Sequence, residues 1–458
     1  MRIHFSGVGG FGMSALAQIH AMDGFPATGS DRLFDQGGNR ELKDRLQDLG
    51  IKLFRQDGSA ITKETELAVL STAIETDNPE VAAAQRLGVP LMHRSELLAK
   101  HVAGRRTIAV TGTSGKSTVV AMIYEILEAA GRAPSVITGG NLLTLQKRGF
   151  FGNAFRGKSD LLVIEADESD GSLLNYKPAV GVFLNLTKDH KEVPVMKEIL
   201  RKFRGNVQTA LVNADDPNLS GFGGNSSFGL GKGMVRADIL VLSAGESRFR
   251  ISGEEFVLPL PGRYNVENAV AAVAAAVNEG VTLADCRRAL AAYQGVARRF
   301  QSLGKARGVE VIDDFAHNPA KIAAALAAAH LRAKRILAVY QPHGFAPTRM
   351  LKDELIEEFA SALSPDDRLW LPDIYYVGGT TDQDISSRDV VAPLLCRGKK
   401  AFYVPRRADI IAELAAQAQE GDLVLVMGAR DPSLTEFAHD ILRALSRVDG
   451  AEDRRLKP

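Results

Sequence analysis

The chain has 458 residues, 45% hydrophobic and 24% charged, with 56 basic and 55 acidic residues and a net charge of +1. That length exceeds one ordinary core and predicts two to four domains, and the balanced charge gives no broad electrostatic reason to expect nucleic acid or an anionic membrane as partner. Two distant cysteines (Cys286 and Cys396), no apolar run of the ~18 residues needed to span a bilayer, and a start without a signal-peptide pattern predict a cytoplasmic protein.

Strand-like runs alternate with helical patterns, which predicts an α/β fold with largely parallel sheets. The first region, residues 1–103, carries the strands RIHFS, LAVLST and VPLMH and the helical stretch PEVAAAQRLG. At its head stands IHFSGVGGFGMSALAQ: a short β run, a glycine loop and a helix former. Gly7, Gly9 and Gly12 fit G-x-G-x-x-G and Asp31 ends a second strand, the pattern of a Rossmann-like unit. Alone, the pattern leaves three readings open: nicotinamide, another phosphorylated ligand, or close helix–strand packing.

The second region, residues 104–295, opens with TIAVTGTSGKSTVV. A buried-type strand runs into Gly112-Thr113-Ser114-Gly115-Lys116-Ser117-Thr118, and a helix follows at once. Such glycines let backbone N–H groups converge on phosphate oxygens. Lys116 is placed to neutralise the β/γ-phosphates and Ser117 to bind Mg²⁺, which makes this an expected ATP or GTP site. Val110 stands where the general P-loop has its first glycine. LLVIEADESDGS ends in Glu165, Asp167, Glu168 and Asp170, oxygen donors suited to Mg²⁺. FLNLTKDHKE ends in Asn185, Asp189 and His190, the histidine being a metal ligand, a phosphate-polarising group or a surface residue. Between residues 225 and 261, SSFGL, ADILVLSA, SRFRISG and EEFVLPL read as a small antiparallel excursion. NVENAVAAVAAAVNEG then reads as a helix.

The third region, residues 296–458, repeats the alternation with VEVIDD, RILAVYQ, DRLWLP, KAFYVP and DLVLVMG. VIDDFAHNP sets Asp313, Asp314, His317 and Asn318 at one strand end, and VYQPHGFAPTR sets Gln341, His343 and Arg349 at another. Polar clusters at strand C-termini are where open α/β sheets bind ligands. Arg298-Arg299-Phe300, at the junction, is either a solvated face or a phosphate contact. Arg105-Arg106 and Lys399-Lys400 read as solvated faces, Trp370 as core, and the stretch from about Asp449 as a frayed tail.

In this order, GVGGFGMS, STAIETDNPEV, GTSGKST, EADESDGS, NLTKDH, GRYNVENA, GVARRF, DDFAHNP and QPH resemble the Mur ligases over essentially the whole chain. These are ATP-dependent amide-forming enzymes of peptidoglycan synthesis. The resemblance implies three domains: an N-terminal Rossmann-like domain (1–103) for a UDP-sugar, a central P-loop ATPase-like domain (104–295) for ATP, and a C-terminal Rossmann-like domain (296–458) for the amino acid. Gly9, Gly10, Gly12, Met13, Ser14, Asp31 and Ser71 would then grip the UDP-sugar. Residues 112–118, Asn265, Asn268, Arg299 and Asp314 would hold ATP. Ser117, Glu168 and His190 would ligate Mg²⁺, with Lys116, Glu168, His190 and His317 catalytic. His343 and Arg349 would meet the incoming amino acid, and the third domain would close to exclude water.

The implied partners are small molecules, UDP-N-acetylmuramic acid and an amino acid, with L-alanine as the nearest resemblance. Neither nucleic acid nor membrane is implied, and the sequence does not fix an oligomeric state. Departures from the family pattern gather in the amino-acid pocket. Phe315, Ala316 and Asn318 replace Tyr, Gly and His, and Gly344 stands where the family's L-alanine enzymes carry an arginine, the natural bidentate clamp for a carboxylate. Alternatives are therefore a muropeptide-recycling ligase that attaches a tripeptide and a non-catalytic nucleotide-sugar-binding relative.

Overall fold

The computed structural model describes residues 1–168, 170–187, 192–376 and 382–452, and among these it contains three sheets. The first runs in the order Lys52–Phe54, Ala27–Ser30, Ile3–Ser6, Leu67–Leu70, Leu91–His93, parallel throughout. Ile3–Ser6 is buried at every position, as expected of a central parallel strand covered on both faces. The helix after it, Phe11–Met22, is buried at every residue from Met13 to His20. A helix buried all round needs packing on more than one side. A single core supplies it: Ile3, Phe5 and Leu16 cluster with Ile164 and Phe183 of the second sheet and with Leu186 just beyond it.

That second sheet has ten strands, with Arg106–Thr111 between Val180–Phe183 and Leu161–Glu165. One expectation needs correcting. Ser226–Gly229 pairs in parallel with both Thr209–Asn213 and Val235–Leu242, so the main sheet continues where the antiparallel excursion was predicted to begin. Side-chain alternation marks a strand but carries no information on the direction of its partner. Arg105 departs from expectation too. It is mostly buried and pairs at 3.0 Å with Asp23, which also receives Arg156 at 2.7 Å.

The chain divides into two compact units, and both sheets above fall mainly in the first, which comprises residues 1–240, 248–259 and 265–296. The second unit holds the third sheet, ordered Gln301–Ala306, Val309–Asp314, Leu423–Gly428, Ile336–Gln341, Arg368–Leu371, Lys400–Tyr403. Only its first pair is antiparallel. The period of two is visible in its cores: Ile312, Ala338 and Leu425 pack on one face, and Val311, Val339 and Val424 on the other. Trp370 is fully buried as expected, its indole N–H donating to Glu413 at 2.7 Å. The last helix, Leu434–Glu452, extends past the position where fraying was expected.

Candidate active site

Strand Arg106–Thr111 delivers the phosphate loop, and helix Lys116–Ala129 leaves it. Gly112 (φ 137°) and Gly115 (φ 89°) lie in the region that favours glycine. At Gly115 a side chain is also excluded sterically, because a Cβ would sit 2.3 Å from Asn268 Oδ1. The loop is fastened from the neighbouring strand end. Asn185 Oδ1 accepts from Ser114 N at 2.8 Å, and its Nδ2 donates to Ser114 O at 3.0 Å. Thr113 N donates to Asn185 O at 3.1 Å, and the Thr113 hydroxyl donates to Thr187 O at 3.2 Å.

Lys116 crosses this loop. Its ammonium donates to Gly112 O at 2.9 Å and to Glu168 Oε2 at 2.7 Å, with Asp167 at 3.8 Å. Burial disfavours the charge, but Glu168 and Asp167 outweigh it, so the lysine is held above its ordinary pKa. Ser117, Thr118, Asn265 and Asn268 are all buried around the loop. Glu165 accepts from the Thr138 hydroxyl and from Gly139 N. His190 lies outside the described residues.

The glycine loop at residues 7–12 has a different internal logic. A Cβ at Gly9 would lie 2.7 Å from Asp31 Oδ2, and one at Gly12 would lie 3.1 Å from Arg94 Nη1. The protein's own charged side chains thus crowd two of its glycines, Gly9 so closely that a side chain would force Asp31 to shift. Asp31 accepts from Gly9 N and Leu33 N, each at 2.8 Å, and burial raises its pKa against those two donors. Gly10 is exposed, with its nearest atom to a would-be Cβ at 3.5 Å. Ser14 and Met13 are buried in the first helical turns, the Ser14 hydroxyl receiving Asn153 Nδ2 at 3.0 Å. Ser71, half-buried, caps its own loop by accepting from Ala73 N at 3.3 Å.

In the second unit the structure brings His317 and His343 together, ring centroids 5.6 Å apart at 69°. His317 Nδ1 contacts Phe315 O at 2.9 Å, and the Arg299 guanidinium lies 4.7 Å from the Phe315 ring centre. Asp314 accepts from Phe300 N and Ala316 N, both at 2.7 Å. Burial pushes its carboxyl up to about 6, against Arg299 and the two amides. Arg349 binds elsewhere: its hydrogen bonds go to Asp384 and to Asp382 O.

Three family descriptions match this chain in succession: the Mur ligase family catalytic domain over residues 2–106, the Mur ligase middle domain over 110–276, and the Mur ligase glutamate ligase domain over 298–430. The chain is 37% identical to a UDP-N-acetylmuramate–L-alanine ligase of Streptomyces avermitilis, over 97% of this chain and 98% of that one. It is 33% identical to the like-named protein of Agrobacterium fabrum, over 98% of both. The chain belongs to the Mur ligase family. Among solved structures it resembles the UDP-N-acetylmuramate-alanine ligase MurC of Thermotoga maritima, with a TM-score of 0.80 and 26% identity over 98% of this chain and 100% of that one. A murein peptide ligase of Psychrobacter arcticus shares the fold, with a TM-score of 0.69 and 20% identity over 97% and 99%.

Sequence reasoning did not assign a role to three residues of this Mur ligase that the structure puts at the two loops: Asn153, Asn185 and Arg94. Each acts on a loop far away in sequence, so no local pattern marks it. The only signal was the presence of Asn185 within NLTKDH.

Proposed function

We propose that this Mur ligase joins an amino acid to UDP-N-acetylmuramic acid with cleavage of ATP, as a step of peptidoglycan synthesis in the cytoplasm. The observation that carries the reading is Lys116, fixed by Gly112 O and Glu168 inside a strand–loop–helix of the phosphate-loop type. The family supplies the reaction class, an ATP-dependent ligase. L-Alanine as the amino acid comes from the names of the relatives. No helix among the described residues is long and apolar enough to cross a membrane.

In this reading residues 1–103 bind the nucleotide sugar, 104–295 bind ATP and 296–458 bind the amino acid. Residues 112–118 cradle the ATP phosphates, with Asn268 beside Gly115 and Asn265 on the same helix; the family resemblance adds Arg299 and Asp314 as candidate ATP contacts. The donor set at Ser117 and Glu168, one hydroxyl and one carboxylate, fits Mg²⁺, a hard cation that keeps several waters and needs few protein ligands. His190 would complete it. When bound, that ion offsets charge on the phosphates.

Lys116 holds the γ-phosphate in line for attack by the substrate carboxylate, and an acyl phosphate forms as ADP leaves. The amino group then attacks the acyl carbon and phosphate departs. His317 and His343, paired within the second unit, are the candidates to orient the incoming amine.

A second reading, a ligase for a peptide, rests on the departures at Phe315, Ala316, Asn318 and Gly344 from the pattern of the family's L-alanine enzymes. The test is phosphate release from ATP and UDP-N-acetylmuramic acid with a panel of amino acids and the tripeptide. Release that needs both co-substrates supports the proposal, and the preferred acceptor separates the readings. No release with any acceptor overturns both.

A further inference from the structure

We propose that Arg94 is a positioning residue that joins the nucleotide-sugar loop to the phosphate loop, on the reading that residues 7–14 grip the nucleotide sugar. Arg94 opens helix Arg94–Ala103 directly after the edge strand Leu91–His93, so it stands at the same end of the first sheet as Gly7–Gly12 and Asp31. Its Nη1 lies against Gly12, within 3.1 Å of where a Cβ would be. The guanidinium and the first turn of helix Phe11–Met22 therefore favour negative charge at one place.

Arg94 Nη2 donates to Asp170 Oδ2 at 2.9 Å, and among the described residues that is its one hydrogen-bonded partner. Both side chains are about three-tenths exposed, at 28% and 30%, so an arriving anion can reach the pair. Asp170 belongs to the acidic loop. Its other oxygen accepts from Ser172 N at 2.9 Å, and Gly171 N closes the turn on Glu168 O at 3.3 Å. Glu168 in turn holds Lys116. Contacts thus lead from Arg94, beside Gly12, to Asp170, and from the adjacent Gly171 to Glu168 and the phosphate-loop lysine, all inside one compact unit.

A diphosphate beside Gly12 competes with Asp170 for the guanidinium, which alters the hold on the loop that carries Glu168. The two sites are then coupled thermodynamically, and the coupling is reciprocal.

The test titrates the full-length chain, wild type, Arg94→Ala, Arg94→Lys and Asp170→Asn, with UDP-N-acetylmuramic acid and with a non-hydrolysable ATP analogue, each with and without the other. In the wild type, saturating nucleotide sugar should change the affinity for the analogue severalfold. Arg94→Ala should weaken nucleotide-sugar binding about tenfold and abolish the coupling, while affinity for the analogue alone stays within twofold. Arg94→Lys keeps the charge without the fork and should restore part of the binding. Asp170→Asn should abolish the coupling with little loss of nucleotide-sugar affinity. Wild-type coupling and affinity in Arg94→Ala overturn the inference alone, as does a uniform loss of both ligands in every variant, which a purely structural role gives. A wild-type chain that binds no nucleotide sugar overturns the reading of residues 7–14 as well.

Discussion

Lys116 and Glu168 form a buried ion pair, with Nζ and Oε2 2.7 Å apart and the carboxylate side chain only 2% exposed. The lysine of the glycine loop is thus anchored by an acid of the same compact unit. Breaking a buried pair from one side leaves an uncompensated charge, a cost of roughly 3–5 kcal/mol in well-buried cases. Lys116→Ala should lower turnover by about 10²–10³, the scale of losing one preorganised charge-stabilising group, and should also lower thermal stability. Its affinity for UDP-N-acetylmuramic acid should stay within a few-fold of wild type. Phosphate release and calorimetric titration of the nucleotide sugar check the two halves; an equal loss of both would mean that the sites are not separate.

Asn185 gives a complementary prediction. Its side chain makes both bonds to Ser114 that hold the loop crest. Asn185→Ala removes two hydrogen bonds of ~1 kcal/mol each, so the KM for ATP should rise about ten- to thirtyfold while the KM for the nucleotide sugar hardly moves. Steady-state kinetics with each substrate varied in turn decides it. A rise shared by both substrates would argue for general unfolding.

Much of this could be read from the sequence, and the part that could not has a common cause. The run from Thr107 through Lys116 was legible because strand, loop and helix are contiguous, and each residue's role is local. The glycines of GVGGFGMS were legible as a pattern, but the reason for two of them was not. Gly9 is shaped by Asp31, 22 residues on, and Gly12 by Arg94, whose pairing with Asp170 spans 76 residues. Arg105 looked like part of a solvated basic pair, yet its partner Asp23 lies 82 residues away in the chain. Periodicity reports what a residue faces, not who faces it.

Those long-range contacts make the glycine loop testable position by position. Gly9→Ala drives a Cβ into the Asp31 carboxylate at 2.7 Å, whereas Gly10→Ala meets nothing closer than 3.5 Å and keeps an allowed φ of −71°. Overpacking of this kind costs ~1–3 kcal/mol. Gly9→Ala should lower the melting temperature by several degrees, and Gly10→Ala should leave it within about a degree. Gly10→Ala should nevertheless weaken nucleotide-sugar binding, because the space above Gly10 is what a ligand would use. If both variants melt alike, Asp31 does not set the need for glycine at residue 9.

Asp314 predicts a pH dependence whose sign is opposite to that of most carboxylates. Its carboxyl is pushed up to about 6 by burial in the folded chain, whereas an unfolded aspartate titrates near ~3.9. Between about pH 4 and 6 the native state therefore binds the extra proton. The stability from this group is complete below the unfolded pKa and is lost as pH rises through the folded one, by on the order of 2 to 3 kcal/mol. Asp314→Asn should remove that slope, at a cost, because one amide oxygen must serve both Phe300 N and Ala316 N. Urea unfolding of wild type and Asp314→Asn from pH 4.5 to 7.5, followed through the fluorescence of Trp370 in the same unit, measures the difference. The wild type should lose stability relative to the variant across pH 5 to 7. A difference that stays flat over that range would place the Asp314 titration elsewhere and remove burial as its controlling influence.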